Sequence, residues 1–389
     1  GCRAQAGTAN GDYMEQNSQP DAHNRALQPL RFLFALPGFH AENRGAEVAL
    51  LSVANELALG GDNVTVIGTG PEQADRAYGY RRVGAVNRRR FEGFPSLPTL
   101  RSETAWEDAT FAWNLRRAYR PGDFDVTVTC NFPFTHWTLR RSGGPGQAPL
   151  HLFVTQNGDW PAFSDAAEFR LFSCDGLICT NPDYRERNAA RWSTALIPNG
   201  IDPARFDGVG GDRAGFGLPA DKPVVLMVSA FIETKRVLDG MRAVAALPGV
   251  HFAVAGDGPL REEVLALAQD VLAGRFTQLT LTADRMPALY RSADAFLHMS
   301  LRESFGNVYV EAMAAGLPIV GHDTPRLRWI VGDRDTLCDT QDAAMLTATI
   351  ASALDQGLGT PDPRAQAFAW SSIARQYRDF AASLVAARR

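Results

Sequence analysis

The stretch with the clearest chemical potential is ESFGNVYVEAMAAG, residues 303–316, in which two glutamates lie eight positions apart. On one helix, residues eight apart differ in direction by about 80°, so a single helix would not aim both carboxylates at one small atom. A loop that turns into a helix could do so. We therefore expect Glu303 on a loop, Gly306 at a helix start, and Glu311 on the first turns, facing the same cleft.

The residues between the two glutamates suit a phosphate group. Gly306 and Asn307 would present backbone N–H groups at a helix start, where the helix dipole favours an anion. The two carboxylates are suited to accepting hydrogen bonds from sugar and ribose hydroxyls. The pattern alone leaves a second interpretation open, in which Glu303 and Glu311 are solvent-exposed surface charges.

Two further candidates follow expected strands. Lys235, in SAFIETKR, is one of two lysines in the chain, and its ammonium group could neutralise a leaving pyrophosphate. A solvated lysine at a helix start is the alternative. Gly256 begins the turn GDGP, which is explained as well by a plain strand-to-helix connection as by a phosphate loop.

The composition excludes several classes of protein. The 389 residues are 45% hydrophobic, which is enough for two cores, and a formal charge of −4 does not indicate nucleic-acid binding. The five cysteines form no CxxC pair and have no histidine at zinc spacing, as is typical of a cytoplasmic protein. No apolar run reaches the roughly 18 residues of a membrane-spanning helix. We expect the polar residues 1–28 to be a disordered tail.

Strand-like apolar runs alternate with helix-length segments twice along the chain. The expected strands are RFLFAL, NVTVIG, FDVTVTC, LHLFVTQ, DGLICTN and TALIPNG, and then VVLMVSA, VHFAVAG, FTQLTLT, DAFLHMS and LPIVGHD. This alternation predicts an α/β protein with two doubly wound, Rossmann-like domains that face each other across a cleft. We place the N-terminal domain at residues 29–205, the C-terminal domain at 206–370, and a closing helix at 371–389, able to pack back on the N-terminal domain.

The glutamate stretch resembles the signature of a known family. Retaining glycosyltransferases of the GT-B fold, family 4, carry a Glu-x7-Glu block of the form E-[SG]-F-G-x4-E-A-[ML]-A-x-G-x-P, which ESFGNVYVEAMAAGLP matches. LIPNGIDPARF is similar to the family's hinge segment, and LPGFHAENRGAEVALLSVANELALGG is similar to its N-terminal loop and first helix. The resemblance covers the chain from about residue 31 to about residue 385.

The resemblance, together with the candidates above, assigns a donor-binding set. It consists of Gly45, Arg44, Lys235, Arg236, Gly256, Met286, Glu303, Ser304, Phe305, Gly306, Asn307, Val308 and Glu311. By resemblance, the loop from Glu303 to Asn307 would bind the donor sugar, and the backbone of Asn307 and Val308 would hold the phosphates. Glu311 would bind the nucleotide ribose, and Lys235 the pyrophosphate.

The resemblance also implies the reaction. It implies transfer, with retained anomeric configuration, from a nucleotide sugar (a UDP- or GDP-sugar) to a carbohydrate or lipid-linked acceptor, with no cofactor and no essential metal. The catalytic candidates are Lys235, Glu303 and Asp159. Asp159, in TQNGDWP, is a further carboxylate that could take part in catalysis. The alternative is that it is a structural aspartate of the loop. No matched position places a carboxylate under the anomeric carbon. We therefore prefer a mechanism in which the phosphate leaves, and the acceptor attacks, on the same face of the sugar.

Three positions depart from the family pattern. Ala230 occupies the place, five residues before Lys235, where the family usually has an arginine. Arg44-Gly45 stands where Gly-Gly is common, and Asn157 stands where many members have a histidine that contacts the sugar. We expect Arg44 to supply the positive charge that Ala230 lacks, the alternative being a surface arginine on a tolerant loop.

Two other functions are compatible with these features. A GT-B nucleotide-sugar epimerase shares the architecture, although such enzymes have a C-terminal signature different from ESFGNVYVEA. A nucleotide-sugar-binding protein that has lost catalysis is suggested by Ala230 and Asn157.

Basic segments of the N-terminal domain also suggest peripheral contact with anionic lipid at the inner face of a membrane. They are RRVGAVNRRR (81–90) and the pairs Arg116-Arg117 and Arg140-Arg141, near Trp106, Trp113 and Trp137. Solvated arginine loops are the alternative.

Overall fold

The structure is a computed structural model that describes residues 28–144, 148–164, 169–303 and 305–388. The expected tail, apart from its last residue, lies outside these ranges, as does Ser304 of the glutamate block.

The N-terminal domain contains a seven-stranded parallel sheet. Its strands are Arg31–Ala35 (β1), Asn63–Gly68 (β2), Gly79–Arg82 (β3), Val126–Thr129 (β4), Leu150–Val154 (β5), Gly176–Cys179 (β6) and Thr194–Leu196 (β7). The strand order is β3-β2-β1-β4-β5-β6-β7, with every pairing parallel. The order reverses between β1 and β4, and ligands of such sheets bind at the carboxyl ends of strands beside this point.

The C-terminal domain contains a six-stranded parallel sheet with the same kind of reversal. Its strands are Val224–Val228 (β8), His251–Ala255 (β9), Phe276–Leu279 (β10), Ala295–His298 (β11), Ile319–His322 (β12) and Leu337–Cys338 (β13). The order is β10-β9-β8-β11-β12-β13, so the switch point lies between β8 and β11. The two sheets confirm the predicted α/β class.

Helices cover both faces of each sheet. Those of the N-terminal domain are Gly45–Leu59 (α1), Glu103–Ala118 (α2), Phe134–Leu139 (α3), Trp160–Phe163 (α4) and Pro182–Asn188 (α5). Those of the C-terminal domain are Val237–Ala245 (α6), Arg261–Val271 (α7), Met286–Tyr290 (α8), Asn307–Ala315 (α9), Pro325–Val331 (α10) and Ala343–Gln356 (α11). The closing helix is Trp370–Arg388 (α12).

Strand β1 shows how the residue pattern builds two cores from one sheet. Successive side chains of a strand point to opposite faces. Phe32 and Phe34 therefore join the core formed with α1 and α12, whereas Leu33 and Ala35 join the core that contains Phe111 of α2. All four β1 side chains are fully buried, which explains why the strand reads as a continuous apolar run.

The closing helix α12 packs on the N-terminal domain. Ile373, Tyr377 and Ala381 recur every four residues and are buried against that domain's core. Arg378, between them in sequence, forms an ion pair of 3.0 Å with Asp62. The chain thus crosses between the domains twice. No helix within the described ranges is long and apolar enough to cross a bilayer.

Candidate active site

A cavity of about 960 Å³ lies between the two domains. The starts of α1 and α2 and the loops after β4 and β5 form its N-terminal wall, and the loops after β8, β9 and β11 form its C-terminal wall. The carboxyl ends of strands from both sheets therefore converge on it, at the switch points where such folds bind ligands. Its volume lies in the usual range for small-molecule sites.

Glu303 lies on this cavity and is held by two neighbours. Its Oε1 accepts a hydrogen bond from Lys235 Nζ and lies 2.9 Å from Nε2 of His298. Lys235 ends a short 3₁₀ turn after β8, and His298 is the last residue of β11. Both strands flank the switch point, which is why residues so distant in sequence meet here.

The surroundings of Glu303 keep its carboxyl ionised. Burial is the largest single influence and by itself would raise the pKa. The hydrogen bonds and charges of His298 and Lys235 together outweigh burial and lower the pKa of Glu303 to about 2. A fixed, ionised acceptor therefore faces the cavity at neutral pH.

Sequence reasoning missed His298. This side chain is 2% exposed, lines the cavity, and its Nδ1 has no hydrogen-bond partner within the described part of the chain. A signal existed in DAFLHMS, because a histidine that ends a buried strand beside a candidate catalytic loop is placed to contact that loop.

The start of α9 presents backbone N–H donors to the cavity. Gly306 precedes the helix with φ 87, and among the described residues no side chain caps the helix. A Cβ at this position would come within 2.8 Å of the Tyr309 ring, so both the conformation and the packing require glycine. The adjoining Asn307 and Val308 line the cavity. An uncapped helix start of this kind binds anionic oxygen atoms.

Gly256 has a packing reason of its own. A Cβ on Gly256 would lie 1.8 Å from the carbonyl oxygen of Ser229, at the loop after β8. Both residues line the cavity. The close approach of these two loops therefore explains the glycine, and the phosphate-loop interpretation stays a prediction.

Glu311 does not face the same cavity as Glu303, which corrects that expectation. Its Oε2 accepts a hydrogen bond of 2.7 Å from the Tyr290 hydroxyl, and burial raises its pKa despite this bond. Asn307 and Glu311 lie one helical turn apart, and both line a smaller cavity of about 450 Å³. Asn307 also lines the main cavity and so stands between the two.

Arg44 lies on the cavity and is paired with an acid. Its guanidinium is 2.9 Å from Glu47, one turn further along α1, and the exposed fractions are 41% for Arg44 and 7% for Glu47. Nε of Arg44 is buried without a hydrogen-bond partner among the described residues. Ala230, whose missing charge Arg44 was expected to replace, lines the same cavity, as does Gly45. The structure therefore brings these positions together, with Glu47 as an unforeseen partner.

Besides Glu311, three predicted site residues do not line the cavity. Asp159 is 3% exposed, and its oxygens accept hydrogen bonds of 2.8 Å from Arg187, so it is an internal ion pair of the N-terminal domain. The guanidinium of Arg236 is bound by the carbonyl of Thr340. Met286 is partly buried against the hydrophobic core of the C-terminal domain. These contacts correct the catalytic assignment of Asp159 and the donor-binding assignments of Arg236 and Met286.

Asn157 lies at the cavity as expected. It follows β5, and its carbonyl accepts a hydrogen bond of 3.2 Å from the indole N–H of Trp160. Phe305 also lines the cavity. Within residues 28–144, 148–164, 169–303 and 305–388, no three His, Cys, Asp or Glu side chains are grouped closely enough to hold a metal ion.

The chain matches two protein-family models. Residues 211–369 match the family described as glycosyl transferases group 1, and residues 43–205 match the family described as glycosyltransferase family 4. The two matches meet near the first crossing between the domains.

Curated relatives carry the same activity in their names. A 2-deoxystreptamine N-acetyl-D-glucosaminyltransferase of Streptomyces fradiae is 32% identical over 360 residues, which cover 80% of this chain and 82% of that protein. A lipopolysaccharide core biosynthesis glycosyltransferase of Rhizobium meliloti is 32% identical over 196 residues, covering 49% of this chain and 56% of that one. The chain thus aligns with about half the length of some relatives.

Solved structures share the fold. A sucrose-phosphate synthase from Thermosynechococcus elongatus superposes with a TM-score of 0.70 at 22% identity, covering 92% of this chain and all of that one (100%). An E. coli protein described as bound with UDP-2-fluoro glucose gives 0.67 at 13% identity, covering 91% and 99%. These likenesses confirm the arrangement of two facing Rossmann-like domains.

Proposed function

This chain belongs to the group 1, family 4-like glycosyltransferases of the GT-B fold, and we propose that it moves a sugar from a nucleotide-sugar donor with retained configuration and no essential metal. One observation carries the proposal. Lys235, Glu303 and the uncapped start of α9 line one cavity between the domains. They are the groups needed to hold a sugar and to stabilise a leaving diphosphate.

The leaving group is held by positive charge and backbone donors. The ammonium of Lys235 has three N–H donors, of which one is directed to Glu303, so the others can bind diphosphate oxygens. The N–H groups of Asn307 and Val308 at the start of α9 add a second set of donors. Charge that grows on the leaving phosphate is thereby met by groups already in place.

Glu303 binds the donor sugar in this proposal and does not attack it. Its carboxylate is fixed by Lys235 and His298 and accepts hydrogen bonds from sugar hydroxyls. The bond from the anomeric carbon to the phosphate oxygen breaks while the bond to the acceptor oxygen forms on the same face. The proton of the acceptor hydroxyl passes to the departing phosphate. The ion pair of Asp159 with Arg187 supports a route without a protein nucleophile.

The ribose is assigned to Glu311. Tyr290 binds only Oε2 of this carboxylate, so Oε1 can accept a hydrogen bond from a ribose hydroxyl. The bond to Tyr290 would then orient the carboxylate. Because Glu311 lines the smaller cavity and Asn307 lines both cavities, the ribose is proposed to occupy the smaller cavity while the phosphates lie at the start of α9.

The donor is proposed to be a UDP-sugar, with a GDP-sugar as the second candidate. Support comes from the solved structures of similar fold, of which an Anabaena protein is described in complex with UDP-glucose (TM-score 0.61, 18% identity). The acceptor is proposed to be a carbohydrate or a lipid-linked saccharide. Peripheral membrane contact is proposed for the basic segment 81–90 and the pairs Arg116-Arg117 and Arg140-Arg141, together called the basic face. Trp113, in the same domain, has a side chain that is 64% exposed.

A donor screen followed by product analysis tests the proposal. A nucleotide sugar at a hundredfold excess over its Kd should stabilise the protein by about 2.7 kcal/mol. The donor found in this way is then turned over, and NMR of the first-formed product should show retained configuration, with full activity in EDTA. Inverted configuration would exclude the mechanism, and activity lost in EDTA and restored by a divalent ion would exclude metal independence. Recovery of an epimerised donor would favour the nucleotide-sugar epimerase. Donor binding without turnover would favour the nucleotide-sugar-binding protein.

A further inference from the structure

The loop TQNGDWP, residues 155–161, brings an exposed aromatic side chain to the cavity. Trp160 lines the N-terminal wall and is 41% exposed. Lys235 and Glu303, which are proposed to bind the diphosphate and the donor sugar, belong to the C-terminal wall of the same cavity. The indole therefore lies on the side of the cavity opposite these two groups.

The loop is built so that the indole has one position. The indole N–H of Trp160 donates a hydrogen bond of 3.2 Å to the carbonyl oxygen of Asn157. Between these residues Gly158 has φ 101, and a Cβ at this position would lie 3.1 Å from the Trp160 ring. Both the backbone conformation and the packing therefore require glycine next to the fixed ring.

Asp159 holds the backbone immediately before Trp160. Its carboxylate accepts two hydrogen bonds of 2.8 Å from Arg187 and one of 2.8 Å from Asn188, both on α5. The guanidinium of Arg187 also lies over the ring of Phe163, 4.4 Å from its centroid. Helix α4, which runs from Trp160 to Phe163, is thus attached to α5 at both ends. This gives the buried carboxylate of Asp159 a positioning role in place of the catalytic one.

The neighbouring aromatic rings support the indole without lying parallel to it. The ring centroid of Trp160 is 4.9 Å from that of Phe169 and 6.1 Å from that of Phe132, with interplanar angles of 64° and 83°. Both phenyl rings also line the cavity. Because neither ring stacks in parallel on the indole and Trp160 remains exposed, an aromatic surface is available to a ligand in the cavity.

The chemistry of this surface favours a saccharide ring over the other parts of the substrates. The face of an aromatic ring is electronegative, so it attracts the C–H bonds of a sugar ring and disfavours a diphosphate. The nucleotide ribose is proposed to occupy the smaller cavity, which Trp160 does not line. The indole and the diphosphate-binding groups therefore suit two different substrates.

We propose that Trp160 is the residue that binds the acceptor: a saccharide ring lies with its C–H face on the indole, and Asp159 positions the indole for this contact. The inference rests on the proposed function and deepens it. The acceptor hydroxyl forms the new bond to the anomeric carbon and gives its proton to the leaving phosphate. Water in the same place would yield free sugar and the same nucleoside diphosphate. Trp160 therefore sets the ratio of transfer to donor hydrolysis.

The test uses the full chain and the nucleotide sugar found in the donor screen. Release of nucleoside diphosphate is measured without acceptor, with sorbitol, and with the methyl glycosides of glucose, galactose and mannose. At least one glycoside should be used with a kcat/KM about tenfold or more above that of sorbitol, whose open chain has no ring face. Trp160→Ala should lower this kcat/KM by about tenfold or more, mainly through KM, the scale of one lost apolar contact. Donor hydrolysis should fall much less.

Three further variants separate acceptor binding from a merely structural role. Trp160→Phe keeps an aromatic ring and should retain part of the preference for the glycoside. Leu171→Ala, at an exposed apolar residue of the same domain that does not line the cavity, should behave as the wild type. Asp159→Asn should raise the KM of the glycoside in the wild type and have little further effect in Trp160→Ala, because it acts through the indole.

Three results would overturn the inference. The first is that no glycoside is preferred to sorbitol. The second is that Trp160→Ala lowers transfer and hydrolysis equally, which would assign the ring to the donor sugar or to the fold. The third is that Trp160→Ala weakens binding of the nucleoside diphosphate, which would assign the ring to the nucleobase. Failure of the wild type to bind any nucleoside diphosphate or to consume any donor would instead overturn the proposed function.

Discussion

Arg326 of α10 donates hydrogen bonds to the carboxylate of Asp183 and to the carbonyl oxygen of Glu303. Asp183 belongs to α5 of the N-terminal domain, so one guanidinium joins the two domains and the loop that carries Glu303. The same group lies over the ring of Tyr184, 5.8 Å from its centroid. Contact between the domains is thereby coupled to the position of a candidate catalytic residue.

Asp183→Asn should lower kcat with little change in the Kd of the nucleoside diphosphate. The substitution removes a charge but keeps the shape, and an exposed ion pair contributes up to about 1 kcal/mol, which is about fivefold in rate. Arg326→Gln should have a larger effect because Glu303 also loses a donor to its carbonyl. Steady-state kinetics measure both, with Glu186→Gln on α5 as an exposed control. Added salt should slow the wild type more than Asp183→Asn; equal salt dependence would argue against the coupling.

Glu303 should make folding stability depend on acid pH. Its pKa is lowered from 4.5 to about 2 in the folded chain, so its contribution is present above 4.5 and is lost as the pH falls from about 4.5 toward 2. Urea unfolding at pH 6 and pH 3.5 should therefore show a larger loss of stability in the wild type than in Glu303→Gln. Identical losses would mean that Lys235 and His298 do not hold the carboxylate as the structure shows.

Glu311→Ala should weaken binding of the nucleoside diphosphate by about 1–3 kcal/mol, the scale of a hydrogen bond to a charged group. Tyr290→Phe should have a smaller effect of the same sign, because it only releases the carboxylate from its orienting bond. Calorimetric titration measures both variants, and Glu303→Ala should affect turnover more than nucleotide affinity. A Glu311→Ala titration that superimposes on the wild type would remove the ribose assignment.

If Arg44 supplies the charge missing at Ala230, Arg44→Ala should lower turnover by raising the activation free energy by about 2–4 kcal/mol. This is the cost of losing one preorganised donor. In that background Ala230→Arg should recover part of the loss. Arg44 must bind the diphosphate while it keeps its ion pair with Glu47, because an unpaired buried carboxylate would be costly. Single-turnover kinetics of the two variants measure both effects. If Arg44→Ala has the turnover and donor affinity of the wild type, Arg44 does not act on the diphosphate and its role is limited to the ion pair with Glu47.

The basic face of the N-terminal domain should bind anionic vesicles at moderate salt. Trp113 is exposed beside Arg117, whose guanidinium carbon lies 5.6 Å from the Trp113 ring centroid, so the pair offers both an apolar and a charged contact. The wild-type protein should sediment with phosphatidylserine vesicles, and a smaller fraction of the Trp113→Ser variant should do so. Protein that stays in the supernatant with these vesicles would show that the arginines are only solvated.

Much of the fold could be predicted because buried parallel strands leave a local signal. β1 and β8 read as continuous apolar runs, and both were expected. β3 and β13 were not expected, since GYRR is mostly exposed at a sheet edge and LC has only two residues. Neither strand has enough buried positions to show a period.

The glutamate block was determined locally. The loop position of Glu303 and the helix start after Gly306 follow from residues within one short stretch, since glycine conformation and helix periodicity act between near neighbours. The position of the helix start could therefore be predicted from the sequence. The directions of the block's two carboxylates could not, because Tyr290 draws Glu311 toward the smaller cavity.

Only the tertiary structure decided which charges meet. Asp159 and Arg187 are 28 positions apart and form an ion pair in which only the carboxylate is buried, whereas Lys235 and Glu303 are 68 apart and meet on the cavity. His298 completes that cluster from the end of β11. An ion pair depends on distance in space and on burial, and neither is encoded in the spacing of two residues along the chain. The sequence by itself therefore determined the family, the two sheets and the block, while packing of the strands determined the partners of each charge.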